Sequence, residues 1–159
     1  LLARVDWNDL CDHPHVAHFH GDFHNENILL RADGTFTLLD WRQDFAGDLE
    51  YGDVYYDLAK FLMGLTVSYD EVTRGAYQVD RLKDDEIHVH VRRPDNLARV
   101  EARFDAWLAE HNFDRGKVRV LTALIFLNIC GLHHHPYSLL LYYTGKKLLT
   151  EALVEHSHR

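Results

Sequence analysis

The sequence contains little of what marks several classes of protein. Its 159 residues include two cysteines, Cys11 and Cys130, which lie far apart and form no Cys-x-x-Cys pair. Neither a disulfide framework nor a zinc ribbon is therefore expected, and a reduced, cytoplasmic protein is the simplest expectation. The net charge is −8, and there is no long basic run. These two features argue against nucleic acid or an anionic membrane as the main partner.

Long apolar segments are lacking as well. The most apolar stretch, residues 118–132, is interrupted by Arg119, Thr122 and Asn128 and is too short to span a bilayer, so we expect a buried helix there. The chain opens with acidic residues from position 6 and shows no signal-peptide pattern. With 47% hydrophobic and 12% aromatic residues, it is expected to form one globular domain or part of one.

A dense polar segment, residues 18–41, stands out from the rest of the chain. Its sequence is HFHGDFHNENILLRADGTFTLLDW. Two short apolar runs, residues 28–30 and 36–39, flank a segment that contains Asp33-Gly34, a strong signal for a tight turn. The pattern predicts a β-hairpin that brings the two ends of this polar segment together.

The expected hairpin places Asn27 beside Asp40, with Asp22 on the loop just before them. Magnesium prefers oxygen ligands and commonly takes one or two carboxylates together with the phosphates of a nucleotide. Asn27 and Asp40 offer such oxygens, and Asp22 lies where it can take the proton of an acceptor hydroxyl. The segment therefore has the side chains that phosphoryl transfer requires.

Three motifs occur in order along this part of the chain. Residues 20–27 read HGDFHNEN, Leu39-Asp40-Trp41 follows the hairpin, and residues 52–59 read GDVYYDLA. They resemble the HGDxxxxN catalytic loop, the second metal-binding motif and the G-D-x-x-x-D-L-A segment of the aminoglycoside phosphotransferase and choline kinase superfamily, whose members are relatives of the protein kinases. The resemblance covers about residues 15–65.

The resemblance implies an α+β, mainly helical fold, that of a protein-kinase-like C-terminal lobe. It also implies ATP- and Mg²⁺-dependent transfer of a γ-phosphoryl group to a hydroxyl of a small molecule, such as a sugar, an aminoglycoside or a choline-like alcohol. In that interpretation Asp22 is the catalytic residue, and Asn27 and Asp40 hold magnesium. His20 and Asp57 support the catalytic loop.

The loop after the second motif is expected to face the cleft and to contact the acceptor. Arg42 would contact a phosphate or an acidic substrate, and Asp44 a hydroxyl or an amine, although a surface Arg–Asp pair explains both residues equally well. Aromatic surfaces favour sugars and quaternary amines. The candidates are Trp41, Tyr51, Tyr55 and Tyr56, for which ordinary packing is an equally good explanation.

A kinase of this type also needs an N-terminal lobe with a phosphate-covering loop and a lysine for the nucleotide phosphates. Nineteen residues precede His20, and they contain no glycine-rich loop and no lysine. We therefore expect residues 1–159 to form the C-terminal lobe only, with the other lobe in cis or from another chain, and to be weakly active or inactive alone. A non-catalytic, kinase-like binding module would also lack that lobe, but the set of Asp22, Asn27 and Asp40 argues against it.

A zinc-dependent hydrolase is a further alternative. His18, His20, Asp22 and His24 resemble the H-x-H-x-D-H run of metallo-β-lactamase-type enzymes, in which zinc keeps an open position for an activated water. In that family a histidine directly follows the aspartate, whereas Phe23 intervenes here. The fold of those enzymes also needs many strands, and this sequence predicts few.

Periodicity predicts the remaining elements. Residues 54–65 should form a helix capped by Asp53, and alternation predicts a second hairpin near residues 77–92, with His88 and His90 on its polar face. An exposed hairpin face is far more common than a metal pair at these two histidines. The run 133–135 of three histidines is expected to form a cap or loop cluster, because three consecutive side chains cannot share a helical face. Three more helices are expected near residues 94–112, 117–133 and 136–153.

Overall fold

The computed structural model of the chain describes residues 1–12, 16–83 and 86–156. The fold is mixed α+β and 55% helical, with small antiparallel sheets. The α+β, mainly helical class expected from the sequence is therefore confirmed. Within the described ranges, no helix combines the length and the apolar character needed to cross a bilayer.

In the described residues, the strands pair in three separate two-stranded antiparallel sheets. In chain order they are β1 (Val16–Ala17), β2 (Ile28–Leu30), β3 (Phe36–Leu38), β4 (Gly52–Asp53), β5 (Tyr77–Lys83) and β6 (Glu86–Val91). The pairs are β1 with β4, β2 with β3, and β5 with β6. Two of these sheets are the hairpins that the alternation of apolar residues predicts.

The β2–β3 hairpin forms as expected, with Leu29 opposite Thr37. Its turn uses Gly34, whose φ of 83° lies in the left-handed region that glycine adopts without strain. The Asp33 carboxylate accepts the backbone N–H of Thr35 at 2.9 Å and so closes the turn. The local sequence therefore determines this hairpin.

Six α-helices occur in the described residues. They are α1 (Trp7–Asp12), α2 (Val54–Thr66), α3 (Tyr69–Thr73), α4 (Asp95–Glu110), α5 (Arg115–Ile129) and α6 (Tyr137–His156). The Asp53 carboxylate accepts the backbone N–H of Tyr55, so the predicted N-cap of α2 is confirmed. The sequence also predicts that Pro14 ends whatever helix precedes residues 20–27, and this residue lies outside the described residues.

Helix α2 is central to the core because it packs against both α4 and α5. The buried residues shared by these three helices include Leu58, Leu62, Phe104, Leu108 and Val118. Helices α5 and α6 pack along each other, and the inner face of the β5–β6 hairpin covers another buried cluster, which contains Phe126. This core fixes α2 in place, and α2 in turn carries Asp57, which binds the backbone of residues 20 and 21.

Candidate functional site

The catalytic loop is attached to the first turn of α2 through one buried carboxylate. Asp57 accepts the backbone N–H of His20 at 2.7 Å and that of Gly21 at 2.8 Å, one with each oxygen. At 8% relative exposure, Asp57 has little access to water, so these two hydrogen bonds are shielded from competition. Asp57 thus lies where the sequence interpretation placed a loop-supporting residue.

His20 orders the loop from within. Its Nδ1 accepts the backbone N–H of Asp22 at 3.2 Å, and its carbonyl oxygen accepts the N–H of Arg42 at 2.9 Å. The ring lies 4.7 Å from the ring of Trp41. His20 therefore ties the catalytic loop to the segment that follows the β2–β3 hairpin, which fits the supporting role expected for it.

The hairpin brings the two expected metal ligands to neighbouring positions. The N–H of Leu39 donates to the carbonyl oxygen of Asn27 at 2.9 Å, so Asn27 lies beside the residue that precedes Asp40. The amide nitrogen of Asn27 donates to the backbone oxygen of Asp22 at 2.9 Å. Asp22, Asn27 and Asp40 are therefore gathered in one place, as the turn at Gly34 predicts.

Asp40 has an unusual backbone conformation. Its φ of 55° lies in the left-handed region, which costs most non-glycine residues on the order of 1–2 kcal/mol and is tolerated best by Asn and Asp. Its side chain is exposed. Strained backbone conformations of this kind cluster at ligand sites, where the surrounding structure holds them. The conformation of Asp40 is thus a second signal of function besides its sequence motif.

Asn27 and Asp40 offer oxygen donors, which are the ligands that magnesium prefers. Because the Asn27 amide nitrogen is used by Asp22, the amide oxygen is the atom left to meet a metal beside the Asp40 carboxylate. In the part of the chain that the structure describes, no three His, Cys, Asp or Glu side chains are grouped to hold a metal. A metal at Asn27 and Asp40 would take its other ligands from phosphates and water, as magnesium commonly does.

The histidines of the zinc-hydrolase alternative, His18, His20 and His24, are not grouped as metal ligands in the described residues. Nδ1 of His18 lies 3.3 Å from the backbone oxygen of Glu50, and the His18 ring stacks on Tyr51 at 5.1 Å. His20 is engaged by the backbone of the catalytic loop. The alternation of histidines along the sequence therefore does not become a cluster of zinc ligands in the described residues.

Three cationic side chains surround the carboxylate of Asp22, which is buried at 7% relative exposure. Lys60 Nζ lies 2.6 Å from Oδ1, Arg42 Nη2 lies 3.1 Å from Oδ2, and His24 Nε2 lies 3.6 Å from Oδ1. Burial alone would raise the pKa of Asp22, but the interactions with His24 and Lys60 outweigh burial and hold the pKa well below its ordinary value. Asp22 is therefore ionised across the physiological range.

His24 lies between two carboxylates. Its Nδ1 is 2.6 Å from an oxygen of Glu26, and its Nε2 faces Asp22. The interactions with Asp22 and Glu26 outweigh burial and raise the pKa of His24 to about 9. On the protonated ring both nitrogens donate, so the amide nitrogen of Asn27, 3.2 Å from Nε2, gives its hydrogen bond to the backbone of Asp22 instead.

The residues expected to contact the acceptor fall into two groups. Trp41 and Arg42 touch the catalytic loop directly, Trp41 through the ring of His20 and Arg42 through the carboxylate of Asp22. Asp44 instead accepts the N–H of Gly47 and closes a turn in the following loop. Tyr51 lies farther along that loop, stacked on His18.

Tyr55 does not lie at the site. Its hydroxyl accepts the backbone N–H of Asp114 at 2.9 Å, and its ring packs against Phe113 in the core. The expectation that Tyr55 lines an acceptor pocket is therefore wrong, because the first turn of α2 points this side chain toward α5. Tyr56, the next residue, is half-buried, and burial together with the nearby charge of Asp22 raises the pKa of its hydroxyl.

Comparison with known protein families assigns the chain to one of them. The model of the phosphotransferase enzyme family matches residues 2–90, more than half of the chain. The chain belongs to this phosphotransferase family. No curated protein and no solved structure matches the sequence. The family resemblance inferred from the three motifs is thereby confirmed, and phosphotransferase activity in general follows from it.

Lys60 is the residue of this phosphotransferase that sequence reasoning missed. It follows Asp57 by three positions on α2, a spacing that puts both side chains on one side of a helix. Lysine is almost never fully buried unless it is paired, so a lysine in an amphipathic helix is ordinarily assigned to the solvent face. The spacing from Asp57 was the available signal, and the structure places Lys60 directly on Asp22.

Proposed function

We propose that this chain carries the catalytic loop and the magnesium ligands of an ATP-dependent phosphotransferase that acts on a hydroxyl of a small molecule. The observation that carries the proposal is the position of Asp22. Asp22 is ionised, its backbone oxygen accepts the amide N–H of Asn27, Asn27 in turn pairs with the residue before Asp40, and Asp57 fixes the loop to α2. Phosphoryl transfer needs positioning and charge more than covalent chemistry, and this arrangement supplies both.

Asn27 and Asp40 would hold magnesium through one amide oxygen and one carboxylate. When bound, magnesium with its nucleotide neutralises charge that develops on the phosphates. Fixing Asn27 through its amide nitrogen, and Asp40 through the end of the hairpin, keeps the two ligands in place before the metal arrives. Such preorganisation avoids reorganisation at the moment of reaction.

Asp22 would accept a hydrogen bond from the acceptor hydroxyl and orient its oxygen. A carboxylate whose pKa is held well below its ordinary value is a weak base, so its main contribution before the transition state is orientation. In a loose transition state the acceptor hydroxyl loses its proton late, after much of the bond to the leaving group has broken. A weakly basic, ionised Asp22 is adequate for that role.

The acceptor would enter from the side of the loop that follows the hairpin. Trp41 exposes 54% of its surface and offers an aromatic face next to the catalytic loop. Arg42 lies on Asp22 itself, and Asp44 and Tyr51 belong to the same loop. Sugars, aminoglycosides and choline-like alcohols are the acceptors that this mixture of aromatic and charged side chains favours.

The proposal includes a nucleotide-binding lobe, either in cis or from another chain, because a phosphate-covering loop and its lysine are not among the described residues. Residues 1–159 alone would then be weakly active or inactive. We place the reaction in the cytoplasm, which free thiols at Cys11 and Cys130 support.

The test is ATP consumption by the full-length protein with Mg²⁺ and a panel of sugars, aminoglycosides and amino alcohols. Asp22→Asn is expected to lower turnover with the preferred acceptor by about 10²–10⁴-fold. The matched control is Asp105→Asn, because Asp105 also pairs with two cationic side chains, Arg115 and Arg119, but lies on α4. Wild-type turnover in Asp22→Asn would refute the role of Asp22. ATP binding without turnover on any acceptor would favour a binding module. Tightly retained zinc would favour a hydrolase.

A further inference from the structure

Lys60 makes the shortest contact with the proposed catalytic carboxylate. Its Nζ lies 2.6 Å from Oδ1 of Asp22, and each of the two side chains exposes about 10% of its surface. Lys60 is on α2, one helical turn after Asp57, so the helix that holds the backbone of the loop also holds the carboxylate at its centre. The proposed mechanism does not otherwise use this lysine.

The two oxygens of Asp22 have different surroundings. Oδ1 faces the buried Lys60 at 2.6 Å and His24 at 3.6 Å, whereas Oδ2 faces Arg42, whose side chain is 59% exposed. A ligand that approaches from solvent therefore meets Oδ2 first, and an exposed arginine can leave that oxygen at little cost. The buried ammonium at Oδ1 has no comparable route away from the carboxylate.

Stability alone does not explain a buried pair of this kind. Taking an ammonium and a carboxylate out of water costs several kcal/mol per ion, and their attraction repays that cost only in favourable geometry. Apolar replacements of buried pairs are often neutral or stabilising, so the burial of this pair is weak evidence for a purely stabilising role. Here one partner is the carboxylate on which the proposed reaction depends.

We propose that Lys60 is a positioning residue of the phosphotransfer site, which fixes Oδ1 of Asp22 from the buried side so that Oδ2 is presented to the acceptor hydroxyl. Lys60 acts through Asp22 and does not touch the substrate, and Arg42 yields Oδ2 as the acceptor binds. This inference rests on the proposed function, because it assigns a role within that same site.

Replacing the lysine changes both the orientation and the charge of Asp22. Lys60→Met keeps the length of the side chain and removes its charge, which leaves the buried carboxylate of Asp22 with one cationic partner fewer. The groups that still face Asp22 are Arg42 and His24 from the loops and the hydroxyl of Tyr56 from α2. Because burial favours the protonated carboxyl, the pKa of Asp22 is expected to rise in this variant.

The experiment compares Lys60→Met with Lys60→Arg in the full-length enzyme. In Lys60→Met, kcat is expected to fall by about 10²-fold, the loss typical of a misplaced reacting group, with KM for ATP unchanged. The acidic limb of the pH profile of kcat is expected to move to higher pH, and Lys60→Arg is expected to restore most of kcat. The matched control is Lys117→Met, because Lys117 is also buried but faces Asp53 and the ring of Tyr55. Wild-type kcat and an unmoved acidic limb in Lys60→Met would overturn the inference.

A second measurement does not depend on activity and so separates this inference from the proposed function. The ¹³C resonance of the Asp22 carboxyl is expected to titrate at higher pH in Lys60→Met than in the wild type, and an identical titration would overturn the contact. If Lys60→Met does not fold, the Lys60 ammonium protons are followed instead. The ion pair should slow their exchange in the wild type, and Asp22→Asn should abolish their resonances; resonances that persist in Asp22→Asn would also overturn the inference.

Discussion

The attachment of the catalytic loop to α2 makes a quantitative prediction for Asp57→Ala. Asp57 accepts two backbone N–H groups, at 2.7 and 2.8 Å, and is almost fully buried. A hydrogen bond to a charged group contributes roughly 1.5–3 kcal/mol, so removal of both is expected to lower the free energy of unfolding by about 3–6 kcal/mol. That is a large fraction of the roughly 5–15 kcal/mol by which domains are stable. Asp57→Asn retains one acceptor oxygen, so its loss should be about half as large.

The measurement is equilibrium unfolding in urea, together with hydrogen exchange of the amides of His20 and Gly21. Both amides should lose protection in Asp57→Ala, because the variant lacks the carboxylate that accepts their hydrogen bonds. The control is Asp114→Ala, since Asp114 also accepts two backbone N–H groups but is an exposed helix cap. Loss of such a cap typically costs about 1 kcal/mol.

The comparison of the two variants separates burial from the number of hydrogen bonds. If Asp57→Ala and Asp114→Ala are destabilised equally, burial does not strengthen the attachment of the loop, and the argument from Asp57 fails. If the amides of His20 and Gly21 stay protected in Asp57→Ala, the loop is held by other contacts. Either result would refute the claim that one carboxylate positions the catalytic loop.

Two further predictions concern the same loop. Because the pKa of His24 is raised from 6.5 to about 9, its contribution to stability is complete below pH 6.5 and is lost as pH rises through 9. Between pH 6 and pH 10, the free energy of unfolding measured in urea should fall by up to about 3 kcal/mol more in the wild-type protein than in His24→Gln. Equal losses in the two proteins would contradict the raised pKa. Gly21→Ala should destabilise the protein by about 2–4 kcal/mol, because φ is 79° and an added Cβ would lie 2.6 Å from the side chain of Arg42. Gly131→Ala, where a Cβ meets no neighbour within 4 Å, should cost far less in the same assay.

The parts of the fold that follow from the sequence have strong local signals. Asp33-Gly34 determines the β2–β3 hairpin, and the spacing of apolar residues determines α2, whose cap is Asp53. The alternation over residues 77–92 likewise gives the second hairpin. Because the catalytic loop and the second motif flank one hairpin, a local prediction was sufficient to bring the expected metal ligands together.

Other features depend on contacts between distant residues and leave no local pattern. The five-residue helix α3 is too short to show periodicity, and β1 is only two residues long. The inward position of Tyr55 depends on the backbone of Asp114, fifty-nine residues away. The spacing from Asp57 places Lys60 on the same side of α2, but its partner Asp22 lies thirty-eight residues earlier in the chain and is not indicated by the sequence of α2.

The pairing of β1 with β4 has a consequence for how this enzyme can diversify. Ala17 lies opposite Gly52, so residues 18–51 leave and re-enter the rest of the fold at one point. Residues 20 and 21 are hydrogen-bonded to Asp57 of α2, whereas the segment after Arg42 is held by its own turns and by ring contacts of Phe45 with Phe19 and Tyr56. If the proposed function holds, exchange or lengthening of that segment would change the choice of acceptor and leave the attachment of residues 20–27 to α2 intact.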